Sequence, residues 1–257
     1  MEKINYNIIG EGKTILLIHG WTHSSKAWHK VVKILSKKYK VITIDLPGHG
    51  VSESREENGK LLDYVTDSVF EFISNNNISP YAIVAHSMGG LITLKMLRKY
   101  NLSLEKLMLL GTPYCGLPKW ISLFGKQEKL NYKLFSLQKR LPTKLRNYTT
   151  KMGSKLTFKD LNNVDDSLYD SIFESSPFYA AKLFKELSEN CFKLDKKLNV
   201  KSSFVARGEF DRLVSRDKLI TLARFLDAEY YQFKGISHTI MLESPKELTE
   251  KIVEFCK

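Results

Sequence analysis

A serine at a sharp turn, a histidine able to take its proton and a carboxylate able to orient that histidine can together turn a weak alcohol into an acyl acceptor. The chain offers all three, in the order Ser87, Asp211, His238. Ser87 lies in Tyr81-Ala82-Ile83-Val84-Ala85-His86-Ser87-Met88-Gly89-Gly90-Leu91, where a short apolar run stops at the serine and a helical pattern (Leu91, Ile92, Leu94, Leu97) begins at once. A strand that turns into a helix so abruptly crowds the positions two before and two after the serine. Neither can carry a large side chain, and they are Ala85 and Gly89. Asp211 follows the strand-like run Ser202 to Gly208, and His238 follows Tyr230-Tyr231-Gln232-Phe233. In such a constellation His238 would take the Ser87 proton as the oxygen attacks an acyl carbon, then return it to the leaving group. The neutral imidazole is the base, so activity is expected to fall on acidification.

The turn Ala85-His86-Ser87-Met88-Gly89 resembles the nucleophile elbow of the α/β-hydrolases, with alanine in place of the usual first glycine. In that family the acid and the histidine follow the serine in chain order, each after a later strand. The resemblance implies Asp211 as the acid, because it has the family's spacing from its strand, ahead of the nearby Glu209 and Asp217. It implies His238 as the base, and the backbone N–H groups of Met88 and of Trp21, in His19-Gly20-Trp21, as the oxyanion hole. The Trp21 indole is then free either to line an acyl pocket or only to pack. A serine at the elbow argues against haloalkane dehalogenase and epoxide hydrolase relatives, which use aspartate. The fold implied is α/β, a mostly parallel central sheet flanked by helices, with a helical cap inserted before the acid-bearing strand.

The elements that must position these groups can be followed in order. Ile4 to Ile9 and Thr14 to His19, joined through Gly10-Glu11-Gly12, read as an edge hairpin feeding a buried strand. A helix carrying Ala27, Trp28, Val31, Val32, Ile34 and Leu35 follows, capped by Ser24 or Ser25. Val41 to Asp45 is a strand whose turn, Leu46-Pro47-Gly48-His49-Gly50, reads as structural, with His49 a packed or solvated turn residue rather than a catalyst. After the helix of Leu61 to Ile73, the elbow strand and a strand near 106–112, strands cease, and 113–199 holds only amphipathic segments. This divides the chain into a core of 1–112 and 200–257 and a cap of 113–199. Ser244, Pro245 and Glu247 read as a capping box that pins the loop of His238.

Composition bounds the class. With 257 residues, 43% hydrophobic and 26% charged, the chain suits one large α/β domain with an insertion. The longest apolar run, Ile15 to Ile18, is far too short to span a bilayer, and the N-terminus has no leader pattern, so a cytoplasmic location without a transmembrane segment is expected. Cys115, Cys191 and Cys256 are few and widely spaced, which reads as three reduced thiols and neither a disulfide framework nor a zinc site. No metal and no organic cofactor is expected. The formal charge of +12 is mostly lysine, and no nucleic-acid signature accompanies it. The charge gathers in the cap, where Lys119, Lys126, Lys129, Lys133, Lys139, Arg140, Lys144, Arg146, Lys151, Lys155 and Lys159 face only Glu128. Such a face suits an acyl carrier protein, an anionic lipid surface, or simply solvent.

The resemblance implies a carboxylic-ester hydrolase of the esterase and lipase kind, acting through an acyl-enzyme and favouring short to medium acyl chains. His19-Gly20-Trp21, the basic cap and Cys115 soon after its strand also look like the pimeloyl-acyl-carrier-protein methyl ester esterases. A monoacylglycerol lipase, or a binding member that keeps the fold without turnover, are the other readings, since fold and triad do not choose the substrate.

Overall fold

The computed structural model describes residues 3–55, 59–154 and 175–257. A seven-stranded sheet of order β1-β3-β2-β4-β5-β6-β7 forms its centre. The strands are β1 (Tyr6–Ile9), β2 (Thr14–Ile18), β3 (Lys40–Ile44), β4 (Ala82–His86), β5 (Leu104–Leu110), β6 (Val200–Gly208) and β7 (Glu229–Phe233). All pairings are parallel except that of β1 with β3.

The expected hairpin of β1 with β2 does not form. β1 pairs with β3, with Ile8 opposite Ile42. The crossover through helix α1 (His29–Leu35) lays β3 parallel on the outer edge of β2, and β1 takes the edge that β3 leaves.

The central strands are apolar throughout because both faces are covered. Leu16 and Ile18 enter one buried cluster, with side chains of α2 (Leu61–Asn75) and α3 (Met88–Lys99). Ile15 and Leu17 enter the other, with α1 and, at the C-terminus, Leu248 and Ile252.

Between β5 and β6 the described residues hold helices and one isolated bridge. The helices are α4 (Lys119–Gly125), α5 (Glu128–Arg140), α6 (Thr143–Ser154) and α7 (Pro177–Glu189). Lys155 and Lys159 lie outside the described residues. Helix α7 ties this segment to the core. Its Glu186 accepts the Leu61 and Leu62 N–H groups at 2.8 and 2.7 Å, capping α2, and its Tyr179 hydroxyl donates to the Arg55 carbonyl at 2.7 Å.

Two cysteine assignments change. Cys115 and Cys191, 76 positions apart, form a disulfide across that isolated bridge, and only Cys256 is a free, buried thiol. Spacing along the chain carries no trace of this pair, because the return of the chain after α7 is what sets them opposite each other.

After β6 come α8 (Arg216–Phe225), then, past β7, α9 (Ile240–Glu243) and α10 (Pro245–Phe255). Pro245 opens α10 as expected, but the Ser244 hydroxyl meets the Glu247 carboxylate at 2.9 Å instead of capping the backbone. Ser24 stands at the cap position before Ser25–Trp28 without a side-chain bond. Among the described residues no helix is long and apolar enough to cross a membrane.

Candidate active site

The three residues singled out for chemistry meet at the carboxyl ends of β4, β6 and β7, where open parallel sheets place their ligands. Ser87 occupies the single position between β4 and α3 with φ 52° and ψ −119°, a left-handed conformation that is uncommon for a residue with a side chain. Its neighbours hold it there. The Ser87 N–H donates to the Leu110 carbonyl at 2.8 Å, and the Ser87 carbonyl accepts the Gly90 N–H at 2.9 Å. Gly89 lies beneath the turn, where a Cβ would be 2.5 Å from the His19 carbonyl oxygen.

The Ser87 hydroxyl lies 3.0 Å from His238 Nε2, and His238 Nδ1 donates to Asp211 Oδ2 at 2.9 Å. The second carboxylate oxygen of Asp211 accepts the N–H groups of Leu213 and Val214 at 2.8 and 3.0 Å, so the carboxylate is held from both sides. All three residues are buried. Of the rival acids, Glu209 accepts the Gly235 N–H, and Asp217 sits in the first turn of α8.

Met88 is the first residue of α3, so its N–H has no acceptor within the helix and is available next to Ser87. Gly20 packs against the elbow so closely that a Cβ would lie 3.0 Å from Ser87 Cβ, which brings the His19-Gly20-Trp21 loop to the serine. The Trp21 indole turns to the helices between β5 and β6. Its Nε1 donates to the Ala180 carbonyl at 3.0 Å, and its ring stacks on Phe184 at 4.7 Å and meets the Phe135 edge at 5.9 Å.

Beneath this arrangement lies a layer of buried histidines. His19 donates from Nδ1 to the Gly20 carbonyl and accepts the Leu46 N–H on Nε2, a pattern only the neutral ring can make. Burial, with the neighbouring His49 adding to it, lowers its pKa to about 3. Burial likewise lowers His23 and His49 to about 4, and His86 well below the ordinary histidine value. His49 is thus a packed turn residue, donating to the Pro47 carbonyl at 3.0 Å.

Three residues that position the site escape a reading by type and spacing. His86 donates from Nε2 to the His238 carbonyl at 3.0 Å, with its ring 4.8 Å from that of His238. Gly111, with φ 54°, backs the pair: a Cβ there would be 3.0 Å from His238 Cε1 and 3.1 Å from Asp211 Oδ2. The buried Arg207 donates to the Asp211 carbonyl at 2.7 Å. Only His86 had a sequence signal, its place inside the elbow, and that signal names no partner. Among the described residues no group of three His, Cys, Asp or Glu side chains is placed to hold a metal ion.

The chain is similar to known proteins over different extents. A segment of 84 residues is 42% identical to an (E)-2-((N-methylformamido)methylene)succinate hydrolase of Acinetobacter baylyi, covering 33% of this chain and 32% of that one. The match thus spans about a third of that relative's length. A pimeloyl-[acyl-carrier protein] methyl ester esterase of Nitrosospira multiformis is 25% identical over 97% of this chain and 96% of its own. A thermophilic esterase of Thermogutta terrifontis shares the fold with a TM-score of 0.81 at 18% identity, over 98% of this chain and 92% of that one. The sequence profile of the alpha/beta hydrolase fold matches residues 13–245, from the start of β2 to the start of α10, and the chain belongs to that family.

Proposed function

We propose that the protein hydrolyses carboxylic esters through an acyl-enzyme on Ser87. The observation that carries this reading is the buried relay from Ser87 Oγ through His238 to Asp211, at 3.0 and 2.9 Å. Ser87 Oγ attacks the ester carbon while its proton passes to His238 Nε2. The tetrahedral oxyanion is held by the N–H groups of Met88 and Trp21. The carbon–oxygen bond to the alcohol then breaks, and His238 returns the proton to the leaving oxygen. Water, deprotonated by His238, attacks the acyl carbon and frees the acid and Ser87. Asp211 keeps His238 in the Nδ1–H tautomer and stabilises its cation.

In this reading 113–199 is a cap, and the Trp21 indole with Phe135 and Phe184 forms one wall of a pocket for short to medium acyl chains. The full-length match to an acyl-carrier-protein methyl ester esterase favours a second reading of the substrate, a methyl ester carried on such a protein. The Cys115–Cys191 bridge is of a kind that persists in oxidising compartments, which weighs against a cytoplasmic location.

The test is labelling of the protein with a fluorophosphonate, located by mass spectrometry, beside kcat/KM for p-nitrophenyl esters from acetyl to palmitoyl. Label on Ser87 is expected, with a maximum at one chain length and a loss of at least about 10⁴-fold in Ser87→Ala. An unlabelled, folded protein would instead be a binding member of the family.

A further inference from the structure

Helix α5 sends Phe135 inward to Trp21 but turns its leucines outward. The side it turns inward carries Asn131, 7% exposed, whose amide donates to the Phe124 carbonyl at 2.8 Å, and Gln138, which bonds the hydroxyls of Thr149 and Thr150 on α6. The outward side carries Leu130, Leu134 and Leu137, the last 60% exposed. Their spacing of four and three is that of one helical stripe.

The neighbouring helices repeat the pattern. Trp120, Leu123 and Phe124 are exposed on α4, and Leu145, Tyr148 and Met152 on α6. Of the sixteen large hydrophobic side chains exposed among the described residues, ten lie on these three helices. A soluble helix turns such a stripe to its core, so three adjacent helices turning theirs outward form a face meant for something else.

The charge on the same helices narrows what that is. Residues 119–154 hold nine lysines and arginines against a single acid, Glu128. That acid is turned away, in an ion pair with Lys185 of α7 at 3.1 Å. Lys126, Lys129, Lys133 and Lys144 are exposed along the same stretch of chain. A partner must therefore be anionic and also accept large apolar groups. A second copy of this chain would meet like charge with like charge. An acidic protein would satisfy the cations and leave most of the apolar side chains in water. An anionic lipid surface satisfies both, with lysines at the phosphates and tryptophan, phenylalanine and leucine in the acyl boundary.

We infer that α4, α5 and α6 form a docking face for an anionic phospholipid surface. The face backs onto the candidate site through Phe135 of α5, which meets Trp21. Docking does not depend on the ester-hydrolase reading, and Ser87→Ala is expected to dock as the natural chain does.

The experiment is flotation of the 257-residue chain with vesicles of phosphatidylcholine alone, and of equal parts phosphatidylcholine and phosphatidylglycerol. Binding to the mixed vesicles only, weakened by salt, is expected. Lys129→Gln with Lys133→Gln should lower partitioning about thirty-fold. Leu123→Ser with Phe124→Ser should lower it on the order of a hundred-fold, with the melting temperature and short-ester hydrolysis unchanged. Absence of flotation, equal flotation with both vesicles, or indifference to both pairs of substitutions would overturn the inference. So would either rival occupant in place of flotation. One is a dimer in sedimentation velocity that the Leu123 and Phe124 changes abolish. The other is binding to an acyl carrier protein that only the lysine changes weaken.

Discussion

Helices α3 and α5 have nearly the same length, 12 and 13 residues, and both carry leucines at helical spacing, yet they treat them in opposite ways. In α3, Leu91, Leu94 and Leu97 are buried under the sheet beside α2. In α5 the buried residue is Asn131, and Leu130, Leu134 and Leu137 face out. The contrast extends to the regions around them. The core holds five buried histidines and the Ser87–His238–Asp211 relay; 113–199 holds no histidine at all and gathers the lysines. Folding accounts for the arrangement of α3, because Leu91, Leu94 and Leu97 are removed from water. It does not account for α5, whose outward leucines gain nothing from the fold as it stands.

Acidification should separate the two regions most. His19, His23, His49 and His86 all have folded pKa values below that of an exposed histidine. The unfolded chain therefore binds protons first as the pH drops below 6.5, and stability present above that pH is lost toward the folded values near 3 to 4. Each such group costs about 1.4 kcal/mol per pH unit in that window. Melting followed by calorimetry between pH 7 and pH 5 should show a steep fall. Local hydrogen exchange in α5 and α6 should not follow it until the core unfolds.

A matched pair of leucines tests the same contrast at neutral pH. Leu94→Ala should cost about 2–5 kcal/mol in urea unfolding, through the cavity it leaves. Leu134→Ala should stay within about 0.5 kcal/mol. Equal costs would mean that α5 is packed in solution against something that buries its leucines.

A selective effect on the chemistry is expected from Gly111→Ala, beside a cost to the fold of about 1–2 kcal/mol for a side chain at its left-handed φ of 54°. Its Cβ would press on His238 and Asp211 within 3.1 Å, so kcat should fall about ten-fold with KM little changed. An unchanged kcat would show that the pair can give way without loss of alignment.

Much of this was legible in the chain. The strand and helix alternation, the elbow at Ser87, the order of Ser87, Asp211 and His238, and the helical character of 119–154 could be read because each is written in neighbouring residues. The partner of β1 could not, since it depends on which sheet edge the α1 crossover leaves open. Nor could the Cys115–Cys191 bridge, closed across 76 positions, or the contact of His86 with His238, across 152. The outward turn of the α5 leucines was equally hidden, because a helical stripe shows that one side is apolar without saying which side meets the core. Local chemistry is set by spacing of a few residues, and the sequence by itself determined it. Register at an edge, cross-chain contacts and the facing of a helix are set by what the rest of the chain brings alongside, and those only the tertiary structure decided.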